Sequence, residues 1–205
     1  MVQYFLRNFK PYIYGHLTKL IYSRSNVNFG KNLRCDSIPR ILIDNKTKLR
    51  IGDNVELRRN VEIRVHQESE VNIKNNVRID RGVRILAANQ AQIDISEKAR
   101  IGLYAVLNGG DSISIGNASL ISGFVYLQTS MHSFKDKNTQ VQSQGYDHAP
   151  IVLKEDTWVG THAVIFPGVT LGRGSVVGSN AVVNKSVKEY TVVGGVPAKE
   201  LKQRK

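Results

Sequence analysis

The chain has 205 residues, of which 41% are hydrophobic, with a formal net charge of +12 and one cysteine, Cys35. That length buries a sizeable core without a second domain, no apolar run approaches a membrane span, and a single cysteine excludes an internal disulfide and fits a reducing, cytoplasmic compartment. The charge calls for an anionic partner or serves solubility as a solvated surface, and the basic residues form no block outside the closing "KELKQRK" and do not alternate with aromatics, so nucleic acid is not expected.

Residues 1–25, "MVQYFLRNFKPYIYGHLTKLIYSRS", scatter Arg7, Lys10 and His16 through an apolar stretch with no small-residue cleavage site, so they do not read as a secretory signal. Phe5, Phe9, Tyr12, Ile13, Leu17, Leu20 and Ile21 predict an amphipathic helix started or interrupted at Pro11. Its expected role is to cap the repeat that follows. Mixed basic and aromatic residues also suit peripheral contact with the inner face of a membrane.

From residue 26 to about 190 an aliphatic residue returns every six positions. The groups are Phe29, Cys35, Ile41; Ile51, Leu57, Ile63; Ile73, Ile79, Ile85; Ile95, Ile101, Leu107; and Ile115, Ile121, Leu127. After an interruption the beat resumes at Val159, Ile165, Leu171, Val177 and Val183. Three short strands per turn, each sending one apolar residue inward, predict a triangular β-solenoid of roughly seven coils, on the order of 30 Å long.

Between groups the step lengthens from six to eight or ten, which marks one corner of the triangle: "DNKTK" (44–48), "HQESE" (66–70), "AANQA" (87–91) and "NGGD" (108–111). The interruption at 128–150 is the same corner expanded into a long loop, rejoining at Ile151/Leu153 as the coils below rejoin at Ile93/Ile95 and Ile113/Ile115. Structureless loops of that length in compact folds are usually functional or disordered. Residues 191–205 read as a basic C-terminal tail.

The segments "VGTHAVIFPGVTLGRGSVVGSNAVV" and "VVGGVPAKELK" resemble the hexapeptide-repeat acyltransferases over about residues 29–200. "MHSF" followed by "QSQGYDHAPIVLKEDTWVG" is similar to the loop of bacterial O-acetyltransferases of capsule and O-antigen sugars, themselves related to maltose and galactoside acetyltransferases. The resemblance implies a left-handed parallel β-helix, acetyl-CoA as co-substrate, no metal, a homotrimer and active sites between neighbouring prisms. The chain departs from the family where "I-G-D" is replaced by Leu153, Lys154 and Glu155, which removes a turn glycine and no catalytic position.

Acetyl transfer to a hydroxyl needs a base that titrates near neutral pH and donors for the developing oxyanion. The resemblance makes His132 that base, with His148 ranked second. Asn108, Trp158, His148 and His162 are expected to line the acceptor and acyl site. Asn108 has a plain alternative, an Asn-Gly-Gly turn needing φ > 0. The family pattern suggests that Gly160, Thr161, Gly178 and Ser179 contact coenzyme A through backbone groups, with Lys185 and Lys199 near its phosphates. Cys35 reads as a core residue, and His16 and His66 have no assigned role. The function these features imply is O-acetylation of a sugar in a capsule, O-antigen or precursor. Three alternatives remain open at this point: N-acetylation of an amino sugar, serine-type acetylation, and a non-catalytic solenoid that scaffolds or binds sugar. γ-Class carbonic anhydrases share the solenoid, but their histidine spacing is absent.

Overall fold

The computed structural model describes Tyr4 and residues 9–205; Phe5 and Arg7 of the expected N-terminal helix lie outside the described residues. Strands of two to five residues stack into three parallel-rich sheets of seven, nine and seven members. Each coil contributes one strand to each sheet, in the order first, second and third face. The whole is a left-handed parallel β-helix.

Register follows the hexads. Cys35 pairs with Leu57 on the second face and Ile41 with Ile63 on the third. On the first face Ile93 pairs with Ile113 and Ile113 with Ile151, while Ile115 pairs with Leu153. The chain therefore leaves the long loop in the register it entered. The inward residues, among them Leu57, Ile85, Leu107 and Ile165, are buried, and burying aliphatic surface drives the stacking.

The corners explain the polar half of each hexad. The turn between first and second faces holds Asn32, Asn54 and Asn76 at φ of 54°, 56° and 60°, a left-handed conformation that asparagine tolerates better than most residues. Between second and third faces the same position holds Asn60, Gly82, Tyr104, Phe124, His162 and Asn180, all at positive φ. Backbone bonds such as Tyr104 N to Arg81 O and Phe124 N to Leu103 O tie each such turn to the one below.

Helix α1, Lys10–Tyr22, lies against the first coil. It approaches with its small face: a Cβ at Gly15 would fall on the Leu33 carbonyl, and buried Thr18 turns its hydroxyl towards Cys35 Sγ at 3.7 Å. Tyr22 Oη donates to Pro39 O and Lys19 Nζ to Gly30 O. The expected apolar face points the other way, with Ile13, Leu17, Leu20 and Ile21 exposed. At the opposite end, residues 199–203 form an antiparallel strand on Thr191–Gly194, and Arg204 reaches Asp156 at 2.8 Å. The basic tail is thus folded along the edge of the last coil. Unpaired strand edges are sticky, and both elements cover one.

Candidate active site

The long loop is not structureless. Ser130–His132 and Tyr146–His148 form an antiparallel hairpin in which Ser130 faces His148, Met131 faces Asp147 and His132 faces Tyr146. Alternate residues share a face, so Ser130, His132, Tyr146 and His148 stand on one side. The Tyr146 ring lies 4.2 Å from that of His132 and 6.0 Å from that of His148, between the two histidines. Beyond it, the tip is held by Asp136, which accepts from Thr139 Oγ1 and from the Asn138 amide; the Thr139 bond first and the Asn138 bond second hold its carboxyl below the usual range.

The hairpin is seated on the coil beneath. Thr129, fully buried, donates to Asn108 O at 2.7 Å and accepts from Asp111 N at 3.0 Å. A Cβ on Gly110 would fall on Ser130 Oγ. Asn108 itself continues a strand, pairs with Gln128 and donates through Nδ2 to Tyr126 Oη at 3.2 Å. Its turn alternative therefore fails: Asn108, Gly109 and Gly110 have no positive φ, and these glycines are there for close approach.

The two histidines differ in what holds them. His148 Nδ1 lies 2.8 Å from Ser130 Oγ. Neither ring nitrogen of His132 has a hydrogen-bond partner among the described residues, and the side chain is exposed. His148 thus keeps one ring nitrogen without a partner among the described residues, and His132 keeps both.

The remaining predicted residues occupy the second face and the corner beyond it. Trp158 lies half-exposed over that face, its Nε1 donating to Ser122 Oγ at 3.2 Å. Thr161 Oγ1 donates to Gly123 O at 2.7 Å and lies 3.0 Å from His162 Nδ1. One hydroxyl proton cannot serve both bonds, so Nδ1 of His162 carries the proton and Nε2 is left as an acceptor. The His162 ring stacks on Phe124 at 4.8 Å, and Phe124 on Tyr104 at 5.5 Å.

The backbone groups divide. Gly160 N donates to Val177 O and Gly178 N to Val193 O, both at 2.8 Å, so these amides are spent in the solenoid ladder. The amides of Thr161 and Ser179 have no partner among the described residues and remain free donors. Gly160 is glycine for packing, since its Cβ would meet Ser179 N at 2.6 Å. Lys185 is exposed on the loop's corner, two coils above it, and Lys199 opens the C-terminal strand.

Within one chain, then, Asn108, His132, His148 and Lys185 gather at the third-to-first corner. Trp158, Thr161, His162 and Ser179 gather on the second face and at its far corner. Tyr126, Ser130 and Tyr146 belong with the first set, and Tyr104 and Phe124 with the second; hexad spacing reveals none of them. Cys35 is buried in the core, where burial first of all pushes its thiol up to about 11 against the pull of Thr18, the opposite of an activated nucleophile. Among the described residues no three histidine, cysteine or acidic side chains are placed to hold a metal ion.

No family model matches the chain. Galactoside O-acetyltransferase of Escherichia coli is 31% identical over 93 residues, 45% of this chain and 44% of that one. The polySia-specific acetyltransferase NeuO superposes with a TM-score of 0.65 at 23% identity over 87% of this chain and 82% of that one. AntD, an N-acyltransferase from Bacillus cereus solved with an amino-sugar nucleotide and coenzyme A, gives 0.62 at 23% identity over 87% and 83%. The chain spans about a quarter to a half of the length of the curated relatives it matches. Its repeat and its fold are those of the solenoid on which these neighbours are built. The chain is similar to acetyltransferases of the hexapeptide-repeat type.

Proposed function

We propose that the chain is an acetyl-CoA-dependent O-acetyltransferase that modifies a sugar hydroxyl of a cell-surface polysaccharide or its precursor. The observation that carries this reading is the hairpin face on which His132, its ring nitrogens free, projects beside Tyr146 from a seat built on Asn108. The bound coenzyme A of AntD and the acceptor in the name of the galactoside relative support it.

His132 takes the hydroxyl proton as the acceptor oxygen attacks the thioester carbonyl. The oxyanion of the tetrahedral intermediate is met by a free backbone amide, for which Thr161 and Ser179 are the available donors. Collapse expels the coenzyme A thiolate, which recovers the proton from His132. No covalent enzyme intermediate is needed. Because the hairpin and the Thr161 corner lie on different edges of one prism, the site is completed between copies, in a closed ring such as a trimer. Helix α1, which turns Ile13, Leu17, Leu20 and Ile21 outward, is suited to resting on the cytoplasmic face of a membrane where acceptors are assembled.

The fold likeness to AntD keeps an amine acceptor as the second reading. Thiol release from acetyl-CoA with a panel of neutral, acidic and amino sugars decides between them. We expect turnover only with a hydroxyl acceptor, and a loss of about 10²- to 10⁴-fold in kcat for His132→Ala with acetyl-CoA binding retained. Full activity in that variant contradicts the assignment of the base; turnover only with amino sugars contradicts the acceptor.

A further inference from the structure

The corner between the second and third faces carries more than His162. Its left-handed position is filled by residues that suit it at both ends, Asn60, Gly82 and Asn180, but by aromatic rings in the three middle coils, Tyr104, Phe124 and His162. A bulky side chain in that conformation is strained, and such strain persists where something uses it. The three rings stack face to face up the prism axis. Their edges, which bear the positive end of the ring quadrupole, therefore form an exposed ridge.

Below the ridge the same corner turns basic. Arg59 and Arg81 precede Asn60 and Gly82, and the Tyr104 ring closes over Gly82. They help line a cleft of about 380 Å³ with Arg58, Arg78, Asp36 and Asp80. Arg58 pairs with Asp36 at 3.1 Å, and Arg78 is within 3.9 Å of Asp80. The guanidinium groups of Arg59, Arg81 and, one step along the face, Arg100 have no carboxylate partner among the described residues; Arg81 meets Asp80 through its backbone amide alone. Guanidinium groups left unpaired in this way are suited to bidentate capture of carboxylates.

From Arg81 to His162 the corner climbs three coils, about 14 Å at the spacing of hydrogen-bonded strands. That span is longer than one sugar ring. Of the proposed donor contacts, Thr161 sits beside His162 at the upper end of this span, and Ser179, Lys185 and Lys199 lie above it, which leaves the coils below His162 to the acceptor. We infer that the edge from Arg59 and Arg81 through Tyr104 and Phe124 to His162 is a track for an extended, carboxylate-bearing oligosaccharide. The acceptor is then an acidic polymer or a long precursor of one, not a monosaccharide. This rests on the acetyltransferase reading for its direction, but its binding step is independent of it.

Calorimetric titration without acetyl-CoA tests the track on the full chain. The probes are oligogalacturonate and oligosialate as disaccharides and octasaccharides, with dextran oligomers of the same lengths. Wild type is expected to bind at least one carboxylated octasaccharide more tightly than its disaccharide and than dextran, with a gap that closes as salt is added. Arg59→Ala with Arg81→Ala is expected to lower the octasaccharide-to-disaccharide affinity ratio by about tenfold. Tyr104→Asn with Phe124→Asn, which keeps a residue suited to the turn, should lower the same ratio. Equal binding of neutral and carboxylated chains, or an unchanged ratio in the arginine variant, overturns the proposal. So does dissociation of the oligomer by the asparagine variant with glycan binding intact, which assigns the ridge to a contact between copies. Acetyl-CoA binding, titrated separately, reports on the transferase reading alone.

Discussion

The lower coils, residues 27–107, and the upper coils, 108–193, share one aliphatic core and differ in what covers it. Below, the outward columns are charged: Arg34 and Arg78 flank Glu56, Arg40 and Arg84 flank Glu62, and Lys48 and Arg50 meet at Glu70. In-register stacking sets equivalent residues about 4.8 Å apart, so a column of one sign repels itself and alternation turns the same geometry into attraction. Above, the outward positions carry Leu120 and Trp158 on the face and Phe124 at the corner, exposed to between 45% and 50%. The covering there is richer in glycine and carries fewer ion pairs, among them Arg173 with Glu155 and Arg204 with Asp156. The lower half seals most of its exterior with ion pairs and leaves Arg59 and Arg81 unpaired at one corner, whereas the upper half carries the hairpin and the exposed apolar face.

Three substitutions sharpen that contrast. Gly160→Ala forces a Cβ to within 2.6 Å of Ser179 N, and overpacking of this kind costs about 1–3 kcal/mol. Denaturant midpoints should therefore fall more for this single methyl in the upper half than for any ion pair removed below. Gly110→Ala acts locally. It displaces Ser130 and with it the hairpin, so kcat should drop by about 10- to 100-fold, while the midpoint moves less than for Gly160→Ala.

The charged columns should show the smallest effect and a defined pH dependence. The Lys48 hydrogen bond first, and Arg50 with it, hold the Glu70 carboxyl below its ordinary value of 4.5. At Glu62 the partial desolvation is outweighed by Arg64 and Arg84, with the same result. A carboxyl whose folded pKa is depressed contributes stability that is complete above its unfolded pKa and is lost as pH falls through the folded one. Stability should fall below about pH 4.5. Glu70→Gln should flatten that slope and cost less than about 1 kcal/mol at neutral pH, an effect that salt erases. A large, salt-insensitive loss would mean that the lower columns carry the fold.

Much of this architecture was legible because the hexad is a packing constraint. Ile151 and Leu153 could be matched to Ile113 and Ile115 across the loop since only an aliphatic residue fills the inward position. His132 and Asn108 were found at one corner for the same reason. What the repeat does not encode was missed. Ser130, Tyr146 and the hairpin they build lie where no inward residue is needed, and cross-strand neighbours that far apart in sequence leave no period. The ridge of Tyr104, Phe124 and His162 points outward at a turn position that periodicity treats as polar. Helix α1 shows the converse failure: its apolar residues predicted a buried face, but Gly15 and Thr18 let the backbone approach Leu33 more closely than any aliphatic face could. Gly160 and Gly178 were expected to meet coenzyme A through backbone groups together with Thr161 and Ser179; the coil above takes the two glycine amides, which leaves the amides of Thr161 and Ser179 as donors.

The central claim is that the base and the Thr161 corner are half-sites of one reaction contributed by different copies. Subunit mixing tests it most directly. His132→Ala removes the base, and Thr161→Arg blocks the opposite corner; each alone should be inactive, and the two refolded or coexpressed together should recover about a quarter of wild-type turnover, the fraction of junctions with two intact halves under random assembly. Recovery at that level supports a shared site. If mixed assemblies form and stay inactive, both halves belong to one chain, and the account of the site is contradicted.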